Sequence, residues 1–490
     1  MKNVWRIFWC QTMRSVYICG ICTIVAALLL LFFSSSTSPL FAIDYSDGIV
    51  FKYVALGMIH GKVPYVDVFD NKGIFLYFIN YIGLLLDRQY GVLVLQLINL
   101  SLFFYLVYRL CLLLKASHCL TIVIPILATF VLRFLGDGDL TEEWSLVLIT
   151  IPLFFILPLY TEKKESLTNN ECIILGLCLG LLTLLRANNI APLLGLMSIW
   201  FAQSLISRKY QLLSKFILLV SIGFSIPILL SCVYIYYKSG VYGVKEMYYA
   251  TIVVNFDFYK YQVTAPSEVV WWKELPAVFL CFLIACMCLV KGMWRRNPSL
   301  CLSLILSILF SLLSTGQLWY PHYQMLTVPI LAVILALFTK YRMRVALILL
   351  LVTSGFLCKY SLIRMRHYID NKAEVVSFQQ EFASCIEMIP EEERTEIWNY
   401  NVTIFKFADV AYLNSIFPVN RIDRPQFTGY EDPLEDFVLR APKWVIADES
   451  LFDESQERTR YLLHNYYRIA RIESNIRSSV SIYQSKKERL

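Results

Sequence analysis

The sequence predicts an α-helical polytopic membrane protein with a small C-terminal α/β domain. Three observations predict it. Of 490 residues, 58% are hydrophobic and 17% charged, against about 25% charged in soluble domains; mean hydropathy is +0.58. Apolar runs approaching the roughly 20 residues that cross a bilayer recur from Val16 to Leu357. Beyond Leu357 the chain turns polar, and short strand-like and helical patterns alternate.

The first span is expected over Val16–Phe33. Lys2, Arg6 and Arg14 precede it without a small-residue cleavage pattern, so it reads as a retained anchor with a cytoplasmic N-terminus. Residues 36–73 then form an extracytoplasmic loop. Ile74–Leu86, about 13 residues, is short for a crossing and suits a re-entrant or interfacial helix. Crossings are expected at Val92–Leu114, Leu120–Leu135, Trp144–Tyr160, Cys172–Leu185, Ile190–Ile206 and Phe216–Tyr236. They continue at Ala277–Val290, Leu300–Leu313, Met325–Phe338 and Val345–Leu357. Lys163, Lys164, Arg208, Lys209, Lys215, Arg295, Arg296, Arg342 and Arg344 follow alternate runs and mark the cytoplasmic side.

About 11 transmembrane helices result, and the odd number places the last ~130 residues outside. Lys359, Arg364 and Arg366 follow the final run and oppose that direction. Two domains are expected: a transmembrane domain, 1–358, and an extracytoplasmic α/β domain, 359–490. In the tail, strands are expected near Trp398, at Lys443–Asp448 and at Val480–Tyr483, with helices at Phe405–Leu413 and Glu454–His464.

The net charge of +7 sits largely at span ends, where it sets topology, so no nucleic-acid partner is implied. Most of the 14 cysteines lie in apolar segments without paired spacing and read as packing residues.

With this topology four polar clusters share the outer face. One holds Asp44, Asp47, Asp67, Asp70 and Lys72; a second holds Asp137, Asp139, Glu142 and Glu143. The third is Arg186-Ala-Asn-Asn189, and the fourth Trp319-Tyr-Pro-His-Tyr323. Charge beside a bilayer is costly to bury, so its concentration marks a functional site. The pattern suits glycosyl transfer from a polyprenyl-phosphate sugar. An acceptor hydroxyl is a weak nucleophile that a carboxylate activates by taking its proton. The phosphate leaving group needs cations and hydrogen-bond donors, which Lys72, Arg186, His322 and Tyr323 supply.

The run His60-Gly-Lys-Val-Pro-Tyr-Val-Asp-Val-Phe-Asp-Asn-Lys-Gly73, with Asp47 upstream, resembles the first extracytoplasmic loop of GT-C-fold glycosyltransferases. The resemblance is to the bacterial branch of the protein-mannosyltransferase and aminoarabinose-transferase superfamily. It covers about the first 340 residues, with Leu140-Thr-Glu-Glu-Trp144 resembling the second acidic loop. Ile74 departs from the proline usual there, which bears on helix entry. The resemblance implies a GT-C-like fold and Asp47 as catalytic base, with Asp44 a nearby competitor. It places Glu142 or Glu143 in the site.

Each residue has a structural alternative. Asp47 would equally suit a helix N-cap, Asp67 and Asp70 a turn, and Lys72 a snorkelling position. Glu142 and Glu143 would suit a helix start, and His322 an interfacial hydrogen bond. Catalytic roles are assigned to Asp47, Glu142 and Glu143. Substrate-binding roles go to Asp44, Asp67, Lys72, Arg186, His322 and Tyr323.

No cofactor or metal is expected, although Asp137 and Asp139 could hold a divalent ion with Asp44 or Asp47. The partners implied are a polyprenyl-phosphate sugar donor, a cell-surface glycan, lipid or polymer acceptor, and membrane lipid. Two other functions stay open. A lipid-linked oligosaccharide polymerase or ligase would carry its main loop late, and a transporter or flippase would place charges near the bilayer midplane.

Overall fold

Backbone groups in an apolar slab must find hydrogen-bond partners within their own segment, and the apolar runs accordingly form helices. The structure, a computed structural model, describes residues 2–42, 46–255 (save 69, 117, 118 and 163), 293–314, 321–340 and 359–399. It also describes 438, 442–473 (save 450, 451, 453 and 456) and 480–486. Asp44, the expected spans Ala277–Val290 and Val345–Leu357, and the expected helix Phe405–Leu413 lie outside the described residues.

The helices in chain order are α1 (Lys2–Phe33), α2 (Asp47–Ile59), α3 (Ile74–Leu86), α4 (Gly91–Leu113), α5 (Ile124–Phe134) and α6 (Thr141–Thr161). There follow α7 (Asn169–Leu185), α8 (Ala191–Ile206), α9 (Tyr210–Tyr248), α10 (Pro298–Leu313), α11 (Val328–Lys340), α12 (Lys359–Glu387) and α13 (Glu457–Asn465). Among the described residues five helical segments are long and apolar enough to cross a membrane: Ser15–Phe33, Gly91–Leu113, Thr141–Thr161, Ala187–Ile206 and Tyr210–Val253. Shorter apolar helices include Ile74–Leu86, Asn169–Leu185 and Pro298–Leu313.

Two compact units form. The first comprises Met1–Leu40, Asp87–Ser231 and Tyr261–Arg366; the second comprises Phe41–Leu86, Cys232–Lys260 and His367–Leu490.

In the first unit α4 packs on α1 and α6, α6 on α7, and α8 on α10. Its core is aromatic and aliphatic, with Phe103, Phe104, Phe130 and Phe134 fully buried. Helices surrounded by lipid gain little from burying leucines against each other, so close backbone approach matters more. A Cβ added at Gly176 of α7 would fall 2.1 Å from the Val220 carbonyl oxygen of α9. Between α8 and α10, the Ser307 hydroxyl donates to the Pro192 carbonyl at 2.6 Å.

In the second unit α2 packs on α3, and every α2 residue from Gly48 to Met58 is buried. The C-terminal part holds a four-stranded sheet. Its strands are β1 (Trp398–Asn399), β2 (Trp444–Asp448), β3 (Tyr466–Ile472) and β4 (Val480–Ser485), in the order β1-β2-β4-β3. β1 runs parallel to β2, while β2–β4 and β4–β3 are antiparallel. Val445, Ala447, Leu462, Tyr466 and Tyr483 form its core.

Three elements differ from expectation. The span expected at Phe216–Tyr236 lies within the 39-residue α9, which is broken at Gly240 (φ 64°). Strand β3 starts directly after α13 with no turn residue between, and Arg468 and Arg471 obscure its alternation. Helix α12 lies in the polar tail, yet Val375, Phe378, Phe382 and Ile386 recur at helical spacing and are buried.

Candidate functional site

In the second unit, the segment from Ser46 to Gly73 folds around its own polar groups. Ser46, in extended backbone (φ −163°, ψ 152°), caps α2, its hydroxyl accepting from the Ile49 amide at 3.2 Å. The cap role open to Asp47 is thus filled by its neighbour. Asp47 sits half-buried in the first helical turn, and its carboxylate makes no hydrogen bond or ion pair to another described residue.

Asp67 closes a turn. Its carboxylate accepts from the Val63 amide at 2.7 Å, while its own amide donates to the Val63 carbonyl at 2.9 Å. Inside that turn Tyr65 adopts φ 69°, uncommon for a bulky residue. Its buried ring packs 5.9 Å from Tyr77, and its hydroxyl donates to the Lys72 carbonyl at 2.8 Å. Burial, and secondarily the Asp70 charge, holds the Tyr65 phenol well above its usual range, so it stays a donor. Asp70 accepts from Tyr77 Oη at 2.8 Å and from the Asn71 amide at 2.7 Å. Lys72 Nζ donates to Asn71 Oδ1 at 2.7 Å, and an ammonium has two donors more. Asn255, beyond α9, anchors the loop by donating to the Asn71 carbonyl at 2.8 Å.

In the first unit, the start of α6 carries an unusual density of buried charge. Among the described residues four charged residues are buried: Lys52, Asp139, Glu142 and Glu143. Three of them lie within one turn of the start of α6. Leu140 precedes α6 without a side-chain cap, so the helix start takes its polar partners from elsewhere.

Glu142 is 2% exposed and pairs with Arg186 Nη1 at 3.3 Å. Arg186 Nη2 donates to Tyr323 Oη at 3.1 Å, and the guanidinium carbon lies 4.3 Å from the Tyr323 ring centroid. Arg186 ends α7 in extended backbone (φ −163°, ψ 131°), which turns it out of the helix toward Glu142.

Glu143 faces a different set. Its carboxylate accepts from Gln96 Nε2 at 2.9 Å and from the Asp139 amide at 2.9 Å. Gln96 is held in turn by Thr37, whose hydroxyl donates to Gln96 Oε1 at 2.6 Å. Asp139 accepts from Trp144 Nε1 at 2.8 Å. Asn189 is fully buried and donates to Ser145 Oγ at 2.7 Å. The Gly136–Asp139 loop is tight because Gly138 (φ 87°) abuts Ser34, where an added Cβ would lie 1.9 Å from Oγ.

The structure therefore brings Glu142, Arg186 and Tyr323 together. Glu143 lies beside them in sequence but in a network of its own. Asp47, Asp67 and Lys72 belong to the second unit, and the side chain of His322 lies outside the described residues. Gln96, Thr37 and Asn99, whose Nδ2 donates to the Glu143 carbonyl at 2.9 Å, escape sequence reasoning; the available signal is the polar Gln96 and Asn99 inside the apolar run of α4. Asp137, considered above as a metal ligand, pairs with Arg364 at 3.2 Å. Among the described residues no three His, Cys, Asp or Glu side chains form a metal-holding group.

The chain aligns with ArnT from Cupriavidus metallidurans bound to undecaprenyl phosphate, at a TM-score of 0.54 and 10% identity. The alignment covers 96% of this chain and 98% of ArnT. The fold is the GT-C fold. The Archaeoglobus fulgidus oligosaccharyltransferase, in complex with Zn and sulfate, aligns at a TM-score of 0.47 and 14% identity, over 88% of this chain and 68% of that one. No protein-family profile and no curated protein matches the sequence.

Proposed function

We propose that the chain is an inverting GT-C glycosyltransferase. It takes a monosaccharide from a polyprenyl-phosphate donor at the outer face of a bacterial plasma membrane, and its acceptor is a cell-surface glycan, lipid or polymer. The observation that carries this is the buried Glu142–Arg186–Tyr323 group at the start of α6, set in a GT-C fold. The ArnT structure with its polyprenyl lipid supports the donor class.

In the proposed step the Asp47 carboxylate accepts the proton of the acceptor hydroxyl. The acceptor oxygen forms the new bond to the anomeric carbon as the bond from that carbon to the phosphate oxygen breaks. The leaving group departs as polyprenyl phosphate, already a stable anion. Arg186 and Lys72 stabilise its charge, with His322 and Tyr323 as further donors. Glu142 orients the Arg186 guanidinium, and Glu143 fixes the loop before α6. Asp67 holds the turn that presents Lys72, and Asp44 lies three residues before the base. The step draws on no cofactor. The N-terminus is cytoplasmic and residues 359–490 are extracytoplasmic in this scheme.

The test is purified protein in lipid nanodiscs, given a panel of radiolabelled polyprenyl-phosphate sugars and cell-envelope acceptors. Label should pass to one acceptor class with one polyprenyl phosphate released per sugar. Donor translocated across the bilayer unchanged would point instead to a flippase.

A further inference from the structure

At the other end of α6 the first unit carries a second polar space, open to the surface. A cavity of about 410 Å³ is lined by Tyr160, Lys164, Trp200, Ser204, Lys209 and Arg296, among others. Tyr160 follows Glu142 by about five turns, about 27 Å at 1.5 Å per residue. The cavity therefore lies a bilayer core away from the candidate site.

Three cations line it. Lys164 is also held by Glu171 at 2.6 Å, and Lys209 lies 3.8 Å from Glu165. Glu165 is 85% exposed and so balances little of the charge. Cations at helix C-termini commonly serve the terminal carbonyls. Here other donors already occupy them: Asn297 Nδ2 reaches the Tyr160 carbonyl at 2.6 Å, and the Lys209 amide reaches that of Ser204 at 2.9 Å. Ser204 is 6% exposed and faces this space, yet its hydroxyl makes no hydrogen bond to another described residue. The hydroxyl is reached from the cavity and can donate to a ligand oxygen there.

The rim is apolar. Phe201, Leu205, Ile206 and Tyr210, within a few residues of Ser204 and Lys209 in the sequence, are exposed large hydrophobics. A free anion would gain nothing from them, whereas acyl chains would cover them.

We propose that this cavity seats the phosphodiester headgroup of an anionic glycerophospholipid. Arg296 and Lys209 hold the phosphate, the Ser204 hydroxyl donates to it, and the acyl chains lie along α8 and the start of α9. The density of Lys and Arg at this end assigns the lipid to the cytoplasmic leaflet. The proposal is independent of the transfer reaction.

The experiment is native mass spectrometry of the delipidated full-length protein, titrated with phosphatidylglycerol, phosphatidylcholine or inorganic phosphate. The expected result is retention of one phosphatidylglycerol in preference to the other two. The Lys209→Gln/Arg296→Gln pair should weaken it about 30-fold, from about 1 kcal/mol per basic side chain. Ser204→Leu, which removes the hydroxyl donor and narrows the cavity without altering charge, should also weaken retention, while Lys215→Gln should leave it unchanged. Equal retention of phosphatidylcholine, phosphate binding as tightly as the lipid, or full retention by Ser204→Leu would each overturn the proposal. So would a loss in Lys215→Gln as large as in the double variant.

Discussion

Replacing Arg186 by methionine separates its structural role from its chemical one. The side chain is 14% exposed and its partner Glu142 2%. Removing it leaves a carboxylate buried without its counter-ion, a change that costs about 3–5 kcal/mol in comparable pairs. At about 2 °C per kcal/mol in a large chain, Arg186→Met should lower the thermal midpoint by about 6–10 °C. Adding Glu142→Gln removes the stranded charge. Only about 1–2 kcal/mol should then remain, for the lost Tyr323 contacts and an imperfectly paired amide. The assay is thermal unfolding of wild type and the two variants in one detergent, with transfer measured in parallel. Stability should largely return in the double variant while transfer stays absent, because no guanidinium faces the phosphate. Equal midpoints for Arg186→Met and the double variant would refute the claim that the pair neutralises itself. Restored transfer would refute any role of Arg186 toward the donor.

Three further outcomes follow from the same contacts. Ser46→Ala removes the α2 cap and should cost about 1 kcal/mol while leaving measurable transfer, as unfolding and turnover assays would show. Gly138→Ala meets Ser34 at 1.9 Å and a positive φ, so it should destabilise by at least about 1 kcal/mol and lower transfer through the α6 start, as read in the same two assays. In the sheet, burial pushes the Glu449 carboxyl up, but donors from Tyr483 and Arg468 outweigh it and hold it below the usual range. A depressed carboxylate contributes stability above its unfolded pKa of about 4.3, which is lost as pH falls through the folded value. An acid titration of the thermal midpoint should therefore be flatter in Glu449→Gln than in wild type.

Much of the membrane architecture was legible because hydropathy and charge act over whole segments. Ile74–Leu86 forms a helix over the expected residues, and Pro298–Leu313 begins within two residues of expectation. The tail was harder to read. Strand β3 follows a helix without a break, and its arginines hide the alternation that marks a half-buried strand.

At the candidate site, sequence reasoning picked out Glu142, Arg186 and Tyr323, which the structure joins across long separations. It could not assign their partners. Adjacent in sequence, Glu142 and Glu143 point about 100° apart around a helix, so one meets Arg186 and the other Gln96. The Gln96 contact depends on packing between α4 and α6, which no local pattern encodes. Ser46, not Asp47, caps α2, a distinction of one residue that lies below the precision of boundary reading.

The most direct test of the central claim compares wild type with Asp47→Asn in nanodiscs, measuring sugar transfer from polyprenyl phosphate and donor binding on the same samples. Asparagine keeps the shape and removes the base. The account predicts unchanged donor binding, an unchanged thermal midpoint and transfer reduced by at least about 100-fold, the lower range for a positioned general base. Transfer by Asp47→Asn at the wild-type rate would contradict it.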